Sequence, residues 1–238
     1  MDKTFIRSEM LIGKENIAKL KTARVAVFGV GGVGGICVEA LVRSGVGNIT
    51  VIDSDTVDQS NINRQIIATQ NSVGSLKTQV VKERLLSINP NANVQTYNLF
   101  YLPESANQID FSSYDYVVDA VDTVSAKLEI IKRAKEQGVK VISCMGTGGK
   151  LDPTLLKITT IDKTEGCPLA RVMRRELKAL GIFDVKVVFS TEKAITSRES
   201  QEEEKKGDGK KAPPSMIFVP SVAGLLLAKE VVLDLIKE

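Results

Sequence analysis

Short apolar runs alternate with segments of helical periodicity through the first two thirds of the chain. A buried strand is predicted at "ARVAVFGV", and further strands are predicted at "NITVID", "NVQTYNL", "YDYVVDAVD" with its exit loop, and "VKVISCMG". Helices are predicted over 33–44, 77–88 and 125–137. Strands that alternate with helices in this way are typical of βαβ units and a parallel sheet. The pattern therefore predicts an α/β fold, with a Rossmann-like, mostly parallel sheet and helices on both faces.

The pattern changes after residue 149. Strands are predicted at "LLKITTID" and "DVKVVFS", with an amphipathic helix over 168–180 and a terminal helix over 221–237. We therefore expect a C-terminal α+β portion that extends the core. The segment 197–214 is dense in charged residues and contains no large apolar side chain, which is typical of a mobile loop.

The first predicted strand runs directly into the glycine-rich turn "VFGVGGVGG" at 27–35. Such a turn lets the backbone approach a polyphosphate closely and directs the N–H groups of the next helix toward it. The expected nucleotide site includes the glycines of this turn, Gly29, Gly31, Gly32 and Gly34. NAD, FAD and ATP all suit the turn, so the motif alone does not choose among them.

A carboxylate closes the second predicted strand, because Asp53 follows Gly34 by 19 residues. This is where a carboxylate accepts hydrogen bonds from the ribose of a bound nucleotide. We therefore expect an adenosine nucleotide with Asp53 on its ribose.

Polar side chains beyond the second and fourth strands favour ATP over NAD. The loop "SNINRQ" supplies Asn61, Arg64 and Gln65, and "VGSLK" supplies Lys77 at a helix start. A reacting triphosphate needs cationic side chains and Mg²⁺, whereas the pyrophosphate of NAD is largely satisfied by backbone N–H groups. Asp122, just beyond the fourth strand, offers the oxygen ligand that Mg²⁺ prefers. The sequence therefore predicts ATP and Mg²⁺ as cofactors.

Composition excludes several other classes of protein. The chain has no histidine, which excludes His-based triads and His-ligated zinc hydrolases. Its three cysteines contain no C-x-x-C pair, which argues against a disulfide framework and against a structural zinc site. A net charge of +3 is too small to imply nucleic acid by itself. This cysteine usage fits a reducing cytosol best, so we expect a cytoplasmic protein. No apolar run is long enough to span a membrane, so we expect no membrane partner.

These motifs, in this order and spacing, resemble the ThiF/MoeB superfamily of adenylyltransferases related to ubiquitin-activating enzymes. The resemblance rests on the glycine turn, "VIDSDTVDQSNINRQ", "VGSLK" and "DAVDT". It implies that Asn61, Arg64 and Lys77 bind the phosphates, that Asp122 holds Mg²⁺, and that Asp53 holds the ribose. It also implies a homodimer in which Arg7 of "FIRSEMLIG" reaches the triphosphate of the other protomer. The implied catalytic residues are Arg7, Arg64, Lys77 and Asp122, and Asp55, Gln65 and Thr123 complete the nucleotide site.

Two substrates are open at this point. Members that serve ubiquitin-like or sulfur-carrier proteins activate a C-terminal Gly-Gly, and many of them use a cysteine. Cys37 and Cys144 fall in a predicted helix and strand, where small buried cysteines are usual. Cys167 alone is placed as a candidate thiol, but no partner base is evident beside it, which favours a structural role.

The second half resembles a narrower branch, the tRNA threonylcarbamoyladenosine dehydratases. The resembling segments are "RSEMLIG", "GGKLDPT", "PLARVMRRELK" and "VVFSTE". The resemblance implies a tRNA substrate whose modified adenosine is adenylated on its carboxylate and then cyclised with release of AMP. A sulfur-relay protein is a further possible partner. The chain is then a single ThiF-type adenylating domain, 1–238, with a helical arm at 1–22, a nucleotide-binding core at 23–150 and a substrate-side extension at 151–238.

The helix predicted over 168–180 carries a basic face and an apolar stripe. The stripe ends at Leu180 and is expected to face the core. The cations fall at i, i+3, i+4 and i+7, a row that can follow RNA phosphates or remain a solvated face. The expected RNA-binding residues are Arg171, Arg174, Arg175 and Lys178.

Overall fold

The computed structural model describes residues 3–195 and 213–237. Within these residues the chain forms seven strands in one sheet, in the order β3-β2-β1-β4-β5-β7-β6. The strands are β1 Arg24–Phe28, β2 Asn48–Asp53, β3 Asn93–Asn98, β4 Tyr116–Asp119, β5 Lys140–Cys144, β6 Leu156–Thr160 and β7 Lys186–Ser190. Most of the predicted mobile loop, 197–214, lies outside the described residues.

The same ranges contain seven α-helices: α1 Ile6–Ile12, α2 Lys14–Thr22, α3 Gly34–Arg43, α4 Lys77–Ile88, α5 Val124–Glu136, α6 Pro168–Ala179 and α7 Phe218–Ile236. The terminal helix begins at Phe218, three residues before the predicted start at 221. Pro220 therefore lies in its first turn, where a missing N–H costs no intrahelical hydrogen bond. No helix in 3–195 or 213–237 is long and apolar enough to cross a membrane.

The pairing confirms a mostly parallel sheet. Neighbouring strands are parallel along the sheet from β3 to β7 in its spatial order. The edge strand β6 alone is antiparallel to its neighbour, which is β7. β6 is shorter than the predicted run because short 3₁₀ turns, Pro153–Leu155 and Ile161–Lys163, flank it. Both strands of the C-terminal portion thus extend the sheet of the core.

Helices cover both faces of the sheet, as predicted. Alternate residues of β1 point to opposite sides, so that Val25 and Val27 join one apolar cluster while Ala26 and Phe28 join the other. The first cluster includes α3, α4 and α7, and the second includes α5 and α6. Strand order reverses at β1, which lies between β2 and β4. A crevice outside the carboxyl ends of these strands is the usual ligand site of such sheets.

Candidate active site

The glycine turn lies between the end of β1 and the start of α3. Gly29 has φ +81°, and a side chain there would lie 2.9 Å from the carbonyl oxygen of Ala120. A methyl group on Gly34 would overlap the carbonyl oxygen of Gly29. Gly31 is more open, because its nearest neighbour would be Nε2 of Gln65 at 3.7 Å. The turn therefore needs glycine for its own folding at 29 and 34, and exposes backbone at 31.

Asp53 stands at the end of β2, beside this turn. Its Oδ2 accepts a hydrogen bond from the N–H of Val30 at 2.8 Å, and its Oδ1 accepts one from the N–H of Asp55 at 2.8 Å. Burial raises the pKa of Asp53, against the opposing effects of Lys77 and of these two N–H groups. The carboxylate is thus fixed in direction where a ribose is expected.

Lys77 begins α4 and is 5% exposed. Its Nζ lies 2.7 Å from Oδ2 of Asp55, and its backbone N–H donates to the Asp55 carbonyl oxygen at 2.9 Å. The Asp55 side chain is 61% exposed. The lysine stem is therefore held in protein, while the partner of its ammonium group faces solvent.

The loop after β2 carries Asn61, Arg64 and Gln65, and of these Arg64 and Gln65 lie beside the glycine turn. Gln65 is 7% exposed, and its Oε1 has no hydrogen-bond partner among the described residues. A side chain at Gly32 would lie 3.2 Å from the Arg64 carbonyl oxygen. Arg64 Nη1 donates to the Ser60 carbonyl oxygen at 2.8 Å and to Asn63 Oδ1 at 2.9 Å. Asn61 is buried, and its Oδ1 accepts from the Asp58 N–H at 3.2 Å.

Asp122 and Thr123 follow β4, and Thr123 is the N-cap residue of α5. Asp122 is exposed. No group of three or more His, Cys, Asp or Glu side chains within 3–195 and 213–237 could hold a metal ion. One carboxylate fits Mg²⁺ bound with a nucleotide, because Mg²⁺ usually takes one or two carboxylates together with phosphate oxygens and water.

Two further sets of predicted residues lie on helices α1 and α6. A side chain on Gly45, beyond the far end of α3, would lie 3.8 Å from the ring of Phe5, which directly precedes α1. Arg7 of α1 is exposed. On α6, Arg174 Nη1 donates to both the carbonyl oxygen and Oγ1 of Thr164, each at 2.6 Å. Leu180 is 51% exposed, so its predicted place in the core-facing stripe is wrong, because the helix ends at Ala179. Arg171, Arg175 and Lys178 are exposed.

All three cysteines are buried. Burial raises the pKa of the Cys37 thiol and raises that of Cys144 to about 12. Cys167 is the N-cap residue of α6 and is 5% exposed. A reactive thiol needs access to solvent as well as a lowered pKa, so this environment is typical of structural cysteines.

Sequence reasoning missed one polar group below this site. Lys127 of α5 is fully buried and pairs with Asp119 at the end of β4, with 2.9 Å between Nζ and Oδ2. Its neighbours on the inner face of the helix are apolar, among them Ile130 and Ile131. A lysine on the apolar face of a helix was the signal available in the sequence.

Comparison with known proteins extends across nearly the whole chain. The ThiF family profile matches residues 5–235. The chain is 43% identical to the tRNA threonylcarbamoyladenosine dehydratase of Bacillus subtilis (strain 168), over 98% of this chain and 95% of that one. It superposes with a TM-score of 0.87 and 31% identity on the E. coli tRNA N6-threonylcarbamoyladenosine dehydratase crystallised with ATP, covering 98% of this chain and 93% of that one. A structure of the E. coli protein with AMP also gives a TM-score of 0.87, over 96% and 92% of the two chains. The chain belongs to the ThiF family.

Proposed function

We propose that this protein binds ATP and uses it to cyclise threonylcarbamoyladenosine next to the anticodon of tRNA. The observation that best supports this proposal is that the glycine turn, Asp53, Gln65 and Lys77 come together at the carboxyl ends of the strands. The orphaned Gln65 oxygen and the solvent-facing partner of Lys77 are groups that a ligand can engage. Relatives named tRNA threonylcarbamoyladenosine dehydratase, one of them crystallised with ATP and with AMP, support this substrate and this nucleotide.

The proposed chemistry has two steps. A carboxylate oxygen of the modified adenosine attacks the α-phosphorus of ATP, the bond to the β-phosphate oxygen breaks, and pyrophosphate leaves. A nucleophile carried by the same modification then attacks the activated carbonyl carbon and loses its proton, and AMP leaves. An aligned intramolecular nucleophile has an effective molarity of roughly 10⁵ M or more, so the second step needs positioning rather than an enzyme thiol.

The residues divide this work by charge. Asp53 orients the ribose, with Asp55 beside it, while Arg64, Lys77 and Asn61 bind the phosphates and stabilise charge on the departing pyrophosphate. Asp122 would hold Mg²⁺, with Thr123 next to it. Bound there, the ion would neutralise phosphate oxygens and make the α-phosphorus easier to attack.

The function is tested by asking which substrate releases pyrophosphate from ATP. We expect release and AMP formation with tRNA that carries threonylcarbamoyladenosine, and neither product with the same tRNA lacking the modification. The unfolding temperature, Tm, should rise with ATP and not with NAD, since a ligand at 100 times its Kd stabilises the folded protein by about 2.7 kcal/mol. Pyrophosphate release driven by a Gly-Gly protein tail, with none from the tRNA, would contradict the proposal.

We infer that the active unit is a homodimer in which Arg7 acts on the partner's nucleotide. Helix α1 buries none of its residues, and its Met10 and Leu11 are 83% and 84% exposed. Apolar side chains this exposed on one short helix are typical of a protein interface. A symmetric interface there would carry Arg7 away from its own glycine turn and toward a second copy.

Mixing two inactive variants tests this arrangement. Arg7→Ala and Lys77→Met are expected to be inactive separately. If Arg7 acts in trans, a re-equilibrated equal mixture regains roughly a quarter of the wild-type sites, because half of the dimers are mixed and each contains one intact site. No recovery from a mixture that forms mixed dimers would show that Arg7 acts within its own chain.

We propose that the outer face of α6 contacts tRNA phosphates through Arg171, Arg175 and Lys178. Arg174 belongs to the predicted RNA-binding set, and its bonds to Thr164 give it a structural task as well. Replacing the three exposed cations by Gln should weaken tRNA binding and flatten its salt dependence by about 0.7 to 0.9 log units for each phosphate that is no longer neutralised. ATP binding should be unchanged. A control variant with the same change of charge elsewhere, at Lys14, Lys21 and Lys132, should keep the salt slope of the wild type.

Because its substrate is tRNA, we propose a cytoplasmic location. A sulfur-relay partner would need an accessible thiol on this chain, and Cys167 is 5% exposed. We therefore propose that ring closure proceeds without a protein thioester.

A further inference from the structure

A sealed ion pair lies beneath the loop that carries Asp122. Lys127 and Asp119 both have fully buried side chains, with 2.9 Å between Nζ and Oδ2. Lys127 Nζ also donates to the carbonyl oxygens of Val121 at 3.0 Å and Cys144 at 2.7 Å. Asp119 accepts from Ser143 Oγ at 2.6 Å and from the Val121 N–H at 3.2 Å. Each proton of the ammonium group therefore has an acceptor, and both carboxylate oxygens have donors.

Stability alone does not explain this pair. Moving two charges out of water carries a desolvation penalty, and well-packed apolar residues of similar volume are often as stabilising. An apolar pair could not hold the backbone of Val121 at both its N–H and its carbonyl oxygen. Asp119 accepts a hydrogen bond from the Val121 N–H, and Lys127 donates one to the Val121 carbonyl oxygen.

The residue held in this way directly precedes Asp122 and Thr123. Thr123 caps α5 without a side-chain hydrogen bond, so the cap itself does not fix the loop. The loop also packs backbone to backbone against the glycine turn, where Ala120 donates to the Phe28 carbonyl oxygen at 2.9 Å and approaches Gly29. A displacement of Val121 would therefore move Asp122 relative to the phosphates.

We propose that Lys127, together with Asp119, is a positioning residue for Asp122. It does not contact the nucleotide; it sets where the Asp122 carboxylate meets Mg²⁺ and the triphosphate. This role rests on the proposed function, because it requires a nucleotide whose binding depends on the metal. Groups that orient a metal-binding side chain in this way typically change metal affinity by 10-fold to 100-fold when they are replaced.

The test removes both charges together, because Lys127→Met alone would leave a buried carboxylate without its partner. Asp119→Asn/Lys127→Met keeps the volume of both side chains. The matched control is Asp234→Asn/Lys186→Met. This Lys–Asp pair, 2.6 Å between Nζ and Oδ2, lies near the amino ends of the strands, and Tyr116 OH donates to the same carboxylate. Each protein is titrated calorimetrically with ATP in Mg²⁺ and again in EDTA, and its Tm is recorded.

We expect the ratio of the two dissociation constants, EDTA over Mg²⁺, to fall by about tenfold or more in the Asp119→Asn/Lys127→Met variant. Binding in EDTA should stay within about twofold of wild type, because the glycine turn and Asp53 are unaltered. The control should keep the wild-type ratio at whatever Tm it shows. An unchanged ratio in the folded double variant would overturn the proposal.

Ser143→Ala keeps the test decisive if the double variant fails to fold. It removes one hydrogen bond to Asp119 and leaves both charges in place, so a smaller fall of the same ratio, about threefold, is expected. An unchanged ratio there would overturn the proposal equally. A wild-type protein whose ATP affinity does not respond to Mg²⁺ would instead show that the proposed function is wrong, and the positioning role would fall with it.

Discussion

Two lysine–aspartate pairs flank the glycine turn, one beyond β2 and one at the end of β4. In the first, 2.7 Å separates Lys77 Nζ from Oδ2 of Asp55, whose side chain is 61% exposed. In the second, 2.9 Å separates Lys127 Nζ from Oδ2 of Asp119, and neither side chain has any exposure. The pairs have the same chemistry and nearly the same length. They differ in whether the carboxylate can return to water.

That difference decides what each lysine can do. An exposed carboxylate that gives up its partner is rehydrated, so a phosphate can take the ammonium group of Lys77 at little cost. A buried carboxylate without its partner would remain desolvated and uncompensated. In the open pair, Lys77–Asp55, the lysine can therefore exchange its carboxylate partner for a ligand. The sealed pair, Lys127–Asp119, can only hold the backbone around it.

The largest expected effect is on stability, at the sealed pair. Lys127→Met should lower the free energy of unfolding by about 3–5 kcal/mol, because it leaves the Asp119 charge buried without its partner. Lys77→Met should lower it by no more than about 1 kcal/mol, because Asp55 is exposed and methionine keeps the packing of the lysine stem. Urea unfolding curves with unchanged m-values measure the free energy of unfolding of both variants. Equal decreases in the two variants would break the comparison.

The second effect is on activity, at the open pair. Lys77→Met should reduce adenylation by about 10²–10³-fold, the usual reduction when one group that stabilises charge in the transition state is removed. Pyrophosphate release at saturating tRNA measures it. Lys186→Met, which removes a lysine from the opposite sheet edge, serves as the control and should retain its rate. A folded Lys77→Met variant with wild-type turnover would mean that Lys77 does not reach the triphosphate.

A third prediction carries the same contrast into the glycine turn. Gly31→Ala meets only ordinary contact distance in the protein, so the fold should be kept, while the new methyl group should weaken ATP binding about tenfold, or 1.4 kcal/mol. Gly34→Ala is the opposite case, because its methyl group would overlap the Gly29 carbonyl oxygen and should impair folding itself. Calorimetry and thermal unfolding separate the two outcomes. Unimpaired ATP binding by Gly31→Ala would show that the nucleotide does not pass over this glycine.

The sequence predicts the surroundings of the open pair, Lys77–Asp55, better than it predicts those of the sealed pair, Lys127–Asp119. The strand and helix pattern is local, and helix α4 begins at Lys77 and ends at Ile88 as predicted. The glycine turn and the strand-end Asp53 are signals of a few residues each, so their meeting follows from the parallel order of the strands.

The rest depends on interactions that no short window contains. The sealed network joins Asp119 and Lys127 to the carbonyl oxygen of Cys144, which belongs to another strand. The bond from Arg174 to Thr164 and the antiparallel place of β6 are likewise set by tertiary packing. Periodicity predicts that Leu180 faces the core, but it cannot show that the helix stops one residue earlier.

The smallest expected effect concerns Cys167, which separates the tRNA reaction from a thioester route. Cys167→Ala should cost about 1 kcal/mol of stability, a typical value for a point substitution. AMP formation from modified tRNA should stay within about twofold of wild type, because the ring-closing nucleophile belongs to the RNA and the thiol is buried. Cys37→Ala is the matched control, since it removes a buried thiol from helix α3. Abolished AMP formation at Cys167 alone, in a protein that unfolds at the control's temperature, would require a covalent acyl intermediate on that sulfur and would favour a sulfur-carrier substrate.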